Sequence, residues 1–429
     1  MKILRTGEER FNQYVSKVKG RIAQDPLILD REVRSILKDV KKRGDEALIY
    51  YNERFDGVRI PTHQLQVRRD EIREAYRKIP QDFIKTLKKA AYRIQRFHRL
   101  SKRRWETKWV EKGIRIEQIV RPLERIGIYI PGGKASYPST VLMAAIPAKV
   151  AGVQEIIITT PPKKEDIHPA VLIAADLAGV DRIYRVGGVQ AIAALAYGTT
   201  SIPRVDKIVG PGNRYVTIAK RFVYGTVDID MVAGPSEIVI ISDGKVPPSF
   251  IAADLISQAE HDEMALPILI TPSEVFAMKV REELERQLSS LKREWIARVS
   301  LNQRGAILIV EDLHDAVELA NQIAPEHLEL CVKNPSYLMK AVRNAGAVFL
   351  GTFTPEAIGD YLAGPNHILP TAGTARFSSA LGVEDFIKKI NLMHFNEKAL
   401  RRFEKDVKGF AEWEGLEGHY QSVRMRMKK

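Results

Sequence analysis

Cysteine is almost missing from this chain of 429 residues. Cys331 stands alone, which excludes an intrachain disulfide and any thiolate cluster, so a metal site must be built from His, Asp, Glu, Gln or water. Long apolar runs are missing too. None approaches the roughly 18 residues that a membrane span needs, and the start, Met1-Lys2-Ile3-Leu4-Arg5-Thr6-Gly7-Glu8, lacks the apolar core of a secretory signal. These absences predict a soluble, cytoplasmic protein with no membrane partner. The G-x-G-x-x-G fingerprint that opens a dinucleotide-binding helix is also absent, so the ordinary sequence argument for NAD does not apply. No RNA-recognition or helix-turn-helix signature is present either.

Acidic residues are in deficit, with 53 Asp and Glu against 67 Lys and Arg and a formal charge of +14. Much of the excess is local. Lys85, Lys88, Lys89, Arg93, Arg96, Arg99, Lys102 and Arg103 recur at helical spacing with no acidic residue between them. Ile84, Leu87, Ala91 and Ile94 then form the opposite, buried stripe. The tail Arg424-Met425-Arg426-Met427-Lys428-Lys429 is the other concentration. We read both as solvated basic surface that aids solubility or attracts an anionic cofactor, and expect no nucleic acid partner.

The length and a 45% hydrophobic composition call for two principal domains. From Glu155 onward, β-branched runs (Ile156-Ile157-Ile158, Ile183-Tyr184-Arg185-Val186, Ile208-Val209, Ile238-Val239-Ile240-Ile241) alternate with longer helical segments. A second series starts after Pro247-Pro248, with helices expected at 249–261, 274–291, 312–323 and 337–344 between short apolar runs. This alternation predicts an α/β protein with two Rossmann-like units, each a mostly parallel sheet covered on both faces. Trp105 to Ile130 reads as strands, with Glu111-Lys112-Gly113 as a hairpin turn.

Polar constellations punctuate this framework. Gln258-Ala259-Glu260-His261 ends an apolar helical run, and a spacing of three puts the amide and the imidazole on one helix face. Two residues alone make a weak metal signal, because zinc takes about four ligands, or three when a position stays open. Three further groups follow: Pro325-Glu326-His327, Gly359-Asp360-Tyr361 and Glu414-Gly415-Leu416-Glu417-Gly418-His419. Four glycine-bearing turns, Tyr129-Ile130-Pro131-Gly132-Gly133, Gly187-Gly188-Val189-Gln190, Gly210-Pro211-Gly212-Asn213 and Ala233-Gly234-Pro235-Ser236-Glu237, adjoin expected strands. Their glycines could let the backbone approach a phosphate, although each singly reads as a tight turn.

Taken in order, these segments resemble the histidinol dehydrogenase family, from about Arg121 to His419, with weaker similarity in the helical N-terminal part. The resemblance implies oxidation of L-histidinol to L-histidine through histidinaldehyde, the last step of histidine biosynthesis, with two NAD reduced in turn. It further implies zinc held by Gln258, His261, Asp360 and His419, and NAD contacted by Tyr129, Gln190 and Asn213. His327 is the base for the alcohol proton, since an imidazole titrates near neutrality, and Glu326 activates the water added to the aldehyde. The substrate would meet Ser236, Glu414 and His327 together with the metal ligands. The carboxylate of Glu414 suits an amine.

By the same resemblance the enzyme is a homodimer with shared active sites. Its parts are an N-terminal helical segment (1–25), a discontinuous α/β domain (26–129 and 237–381), an NAD-binding α/β domain (130–236) and a C-terminal dimerisation segment (382–429). One departure is visible, Val232 where the family usually has proline. A related zinc- and NAD-dependent dehydrogenase of another small polar alcohol is the rival reading, against which Glu414 argues. A non-catalytic basic binding protein is the other rival, against which Glu326 and His327 argue. Cys331 lies four strand residues, roughly 13 Å, beyond His327 and is read as packing, not as a nucleophile. His367 is left out of the ligand set.

Overall fold

The structure is a computed structural model, and it describes residues 1–21, 27–102, 106–132, 136–162 and 166–427. Arg103, Trp105, Gly133, Lys428 and Lys429, named above, lie outside them. The described chain divides into two compact units, one of residues 1–101 and 124–386, the other of 102–123 and 387–429.

The larger unit contains two parallel sheets. Strands β1 (Lys2–Arg5), β9 (Glu237–Ser242), β10 (Leu266–Thr271), β11 (Ala306–Ile309), β12 (His327–Cys331) and β13 (Ala347–Leu350) form a six-stranded sheet in the order β1-β11-β10-β9-β12-β13. β12 runs parallel to β9 on one side, pairing His327 with Ile238, and to β13 on the other, pairing His327 with Ala347. All residues of β9, β10 and β12 are buried, as strands covered on both faces must be, and separate apolar clusters form on the two faces.

The second sheet has five strands, β4 (Arg125–Tyr129), β5 (Glu155–Thr160), β6 (Arg182–Arg185), β7 (Lys207–Val209) and β8 (Asp228–Ile229), in the order β6-β5-β4-β7-β8. Helices Leu27–Arg43, Asp45–Tyr51, Arg69–Lys78 and Gln81–Ser101 pack against the helices of this sheet. Val33, Ile36, Leu37 and Val40 share one core with Ile192 and Leu195. That packing departs from the expectation that 26–129 joins 237–381: the apolar stripes of these helices meet the Ala-rich helices of the five-stranded sheet, and β4 is a strand of that sheet. In the N-terminal part β1 pairs with β11 and helix Glu9–Lys19 packs on helix Leu313–Ile323, so 1–25 is not purely helical.

The smaller unit is a three-stranded antiparallel sheet, β14-β3-β2, from β2 (Thr107–Glu111), β3 (Ile114–Pro122) and β14 (Ile387–Phe395), followed by helices Glu397–Arg402, Glu404–Glu414 and Glu417–Arg424. The expected turn at 111–113 joins β2 to β3. Few of the unit's apolar side chains are buried. Trp109, Met393, Phe410 and Trp413 are exposed, the last at 93%.

On the basic helix Gln81–Ser101 the cationic side chains face solvent, and the buried stripe is Ile84, Leu87, Ala90, Ile94 and His98, with Ala90 in the place expected of Ala91. His98 is 1% exposed, and neither ring nitrogen has a hydrogen-bond partner among the described residues. Burial lowers its pKa from 6.5 to about 4. Between those values the unfolded chain binds a proton here and the folded chain does not, so stability falls as pH drops through that window. His98→Leu should therefore lose less stability than the parent between about pH 7.5 and about pH 5, read as the shift in urea midpoint. Equal shifts in both proteins would remove His98 from the acid response.

Candidate functional site

The five-stranded sheet has its topological switch between β4 and β7, and open parallel sheets bind ligands outside the carboxyl ends of the strands at that point. Tyr129 ends β4 and Gly210-Pro211-Gly212-Asn213 follows β7. The Tyr129 hydroxyl accepts the Gly188 N–H at 3.2 Å, tying the turn after β6 to the same crevice. Burial raises its phenol to about 12, so it stays protonated and keeps a donor. Asn213 caps helix Arg214–Val223, its Oδ1 accepting the Val216 N–H at 3.1 Å. Gln190, on helix Gly188–Tyr197, is 1% exposed, and neither amide atom has a hydrogen-bond partner among the described residues. An unpaired buried amide costs on the order of 1–3 kcal/mol, so this group is one that a polar ligand would satisfy.

A second set of groups gathers at the amino ends of β9 and β12. Ser236 directly precedes β9, and Glu326 directly precedes β12, whose first residue is His327. Helix Pro248–Ala259 connects parallel neighbours β9 and β10 and must run back to their amino edge, which carries Gln258 and His261 there. Asp360 lies near the end of the short helix Glu356–Tyr361. Helix Leu313–Ile323 stops at Ala324, which adopts a left-handed conformation (φ 51°), and Pro325 then turns the chain into Glu326.

His327 Nδ1 lies 3.0 Å from the Glu237 carbonyl oxygen. A carbonyl only accepts, so Nδ1 carries the proton and Nε2 presents its lone pair. Nε2 is 3.9 Å from both Asp360 Oδ1 and Glu356 Oε1. The Glu237 N–H donates to Glu326 Oε2 at 2.8 Å, and that oxygen is 3.7 Å from His327 Nδ1. Burial dominates the electrostatics. It lowers the His327 imidazole to about 4, against the opposing pull of Asp360, and so holds the ring neutral, with a free lone pair, at physiological pH. Burial also drives the Glu326 carboxyl well above its usual range, opposed by the Glu237 N–H and reinforced by the carboxyls of Glu237, Asp360 and Glu356.

One cleft, of about 2760 Å³, is lined by both sets, including Tyr129, Gln190 and Asn213 on one side and Gln258, His261 and His327 on the other. Ser236, Glu326 and Asp360 also line it. Among the expected metal ligands, Gln258 is fully buried with both amide atoms unpaired, and His261 is close enough to act electrostatically on His327 and His367. Ligand atoms of His327, Glu356 and Asp360 lie within 4.8 Å of one another, so Asp360 belongs both to the expected set and to a compact candidate metal group. Glu414 and His419 belong to the smaller unit, at the end of helix Glu404–Glu414 and on helix Glu417–Arg424.

Sequence reasoning missed Glu237 and Glu356, and left His367 out of the ligand set. His367 Nδ1 lies 2.9 Å from the Asp360 carbonyl, partly buried beside the expected ligand. Glu356 is 2% exposed and accepts the Ser257 hydroxyl at 3.1 Å, while its other oxygen is unpaired. Burial pushes its carboxyl up to about 9, with Asp360 adding to the shift. An acid four residues before Asp360, one helical turn away, was the available signal. Cys331 is at the far end of β12 from His327, buried, with a thiol raised by burial and by Glu329, and inert as expected.

The histidinol dehydrogenase family model matches residues 21–427. A histidinol dehydrogenase of Geobacter sulfurreducens is 51% identical over 429 residues, covering all of both chains, and one of Bacillus cereus is 50% identical over 98% of each. The crystal structure of histidinol dehydrogenase from Elizabethkingia anophelis superposes with a TM-score of 0.92 at 37% identity, over 100% of this chain and 98% of that one. Fold and cleft thus define an NAD-dependent dehydrogenase with a metal. The chain belongs to the histidinol dehydrogenase family.

Gly210 tests the cofactor crevice. Its φ is +109°, and a Cβ there would stand 2.3 Å from the Tyr129 carbonyl oxygen. Gly210→Ala should strain this turn by about 1–3 kcal/mol and push β4 and β7 apart where they form the crevice. We expect NAD affinity, measured by calorimetry on folded protein, to fall roughly tenfold or more. Unchanged affinity would place the cofactor elsewhere.

Proposed function

We propose that this cleft oxidises L-histidinol to L-histidine through histidinaldehyde, with Tyr129, Gln190 and Asn213 contacting NAD, His327 as base and Glu326 as the activator of water. The observation that carries the reading is the fixed tautomer of His327. With Nδ1 bound to the Glu237 carbonyl, the Nε2 lone pair faces the cleft and can take the alcohol proton as the carbon is oxidised. Glu326, held by the Glu237 N–H, can then take a proton from the water that adds to the aldehyde.

The expected ligands Gln258, His261, Asp360 and His419 suit zinc, being an amide oxygen, two imidazoles and a carboxylate with no thiolate. When bound, zinc grips and orients the substrate's imidazole and amine, and NAD accepts the hydride. Ser236 and Glu414 complete recognition, the latter pairing with the substrate's amine. We assign NAD binding to the lobe built around 130–236 and dimerisation to the segment from 382. The exposed Trp109, Met393, Phe410 and Trp413 of the smaller unit support a homodimer, in which Glu414 and His419 enter the partner subunit's site. Among the described residues no helix is long and apolar enough to cross a membrane.

NADH formation from L-histidinol tests the reaction. Two NADH per histidinol, lost on chelation and restored by zinc, are expected; no NADH from folded, zinc-loaded protein would favour another alcohol as substrate. For the shared site, His419→Ala and Glu326→Ala subunits should each be inactive alone and regain activity when mixed, because the heterodimer assembles one intact site. Mixed dimers without activity would refute the sharing.

A further inference from the structure

The pair formed by Arg21 and Glu237 has no part in the reading above, yet it grips the backbone that holds both reacting groups. Glu237 uses its N–H on Glu326 and its carbonyl on His327. Its side chain is met by a two-pronged guanidinium, Arg21 Nε to Oε1 at 2.5 Å and Nη2 to Oε2 at 2.8 Å. The two side chains are only 7% and 3% exposed. Arg21 spends two more donors on carbonyls, Nη1 on Val18 at 2.7 Å and Nη2 on Ile323 at 2.9 Å. Ile323 ends the helix that leads, through Ala324 and Pro325, into Glu326.

We infer that Arg21 is a positioning residue for catalysis, clamping the start of β9 and the end of helix Leu313–Ile323 together so that Glu326 and His327 meet the backbone of the same residue, Glu237. The inference rests on the roles proposed for those two residues. A planar fork is what this task requires. It fixes a carboxylate in two places and still reaches a carbonyl on another element, where an ammonium would supply a point charge without the fork's direction. Buried ion pairs are often replaceable by apolar residues with little change in stability. Retaining one beside the reacting pair is therefore better explained by orientation than by folding energy.

The test separates these roles. Arg21→Met alone would strand a buried carboxylate and could fail to fold, so the informative protein is the double variant Arg21→Met/Glu237→Met, which leaves no unpaired charge. Steady-state NADH formation is measured from L-histidinol and from L-histidinaldehyde, per folded, zinc-loaded dimer, with Arg21→Lys and Glu326→Gln alongside. The expected result is kcat lowered roughly 10- to 100-fold in the double variant with KM within about threefold, since misplacement by an ångström has that effect on reacting groups. Arg21→Lys should recover part of the loss. A folded double variant with parental kcat overturns the positioning role, as does a fall that appears only in KM. Glu326→Gln with normal aldehyde oxidation would instead overturn the reading of Glu326 on which the inference stands.

Discussion

The backbone of one residue, Glu237, organises the two groups proposed to react. Its N–H and carbonyl, from the peptide units on either side of it, go to a carboxyl and an imidazole on the adjoining chain segment, Glu326 and His327. Parallel pairing makes this possible. β9 and β12 start side by side, so the residue that opens β9 faces the two residues at the start of β12. A backbone group is a stiffer template than a side chain, having no rotamers to lose. It also fixes which imidazole nitrogen is basic, with no carboxylate needed behind the ring.

The two sheets contribute opposite ends to the cleft. The five-stranded sheet offers the carboxyl ends of β4, β6 and β7, where glycine turns bring backbone close to a ligand. The six-stranded sheet offers the amino ends of β9 and β12 and the returning end of helix Pro248–Ala259. Parallel strands buried on both faces leave little room for chemistry along their length, which confines polar side chains to strand ends. Glu329, in the middle of β12, shows the consequence. Buried there, its carboxyl is driven well above the usual range, and it accepts the Glu356 N–H at 2.7 Å, thereby serving the helix that presents Asp360.

Much of this was legible in the sequence. Alternating β-branched and Ala-rich segments announced two parallel sheets, because buried strands and their covering helices differ in period and composition. Gln258 and His261 were legible as neighbours, but not as a pair on one helix, since the helix stops at Ala259 and His261 lies in the turn beyond it. The attachment of helices between Leu27 and Ser101 was not, since an apolar stripe says that a helix packs but not on which sheet. Nor was the partnership of Glu237 with Glu326, which are 89 residues apart and joined by strand register alone. Arg21 was hidden for the same reason. An arginine in a charged helical segment reads as solvated surface until its carboxylate partner is located.

The buried acids around Asp360 carry the remaining argument. Glu326 and Glu356 are almost wholly desolvated, and the side chains acting on Glu356 are carboxyls and a hydroxyl, with no Lys or Arg among them. Carboxyls without cationic partners favour the protonated form, and this is why burial drives both upward. A divalent cation reverses that direction, because it supplies the missing positive charge at the point where the carboxyls converge. The amide oxygen of Gln258 and the second oxygen of Glu356, neither with a hydrogen-bond partner among the described residues, fit the same need.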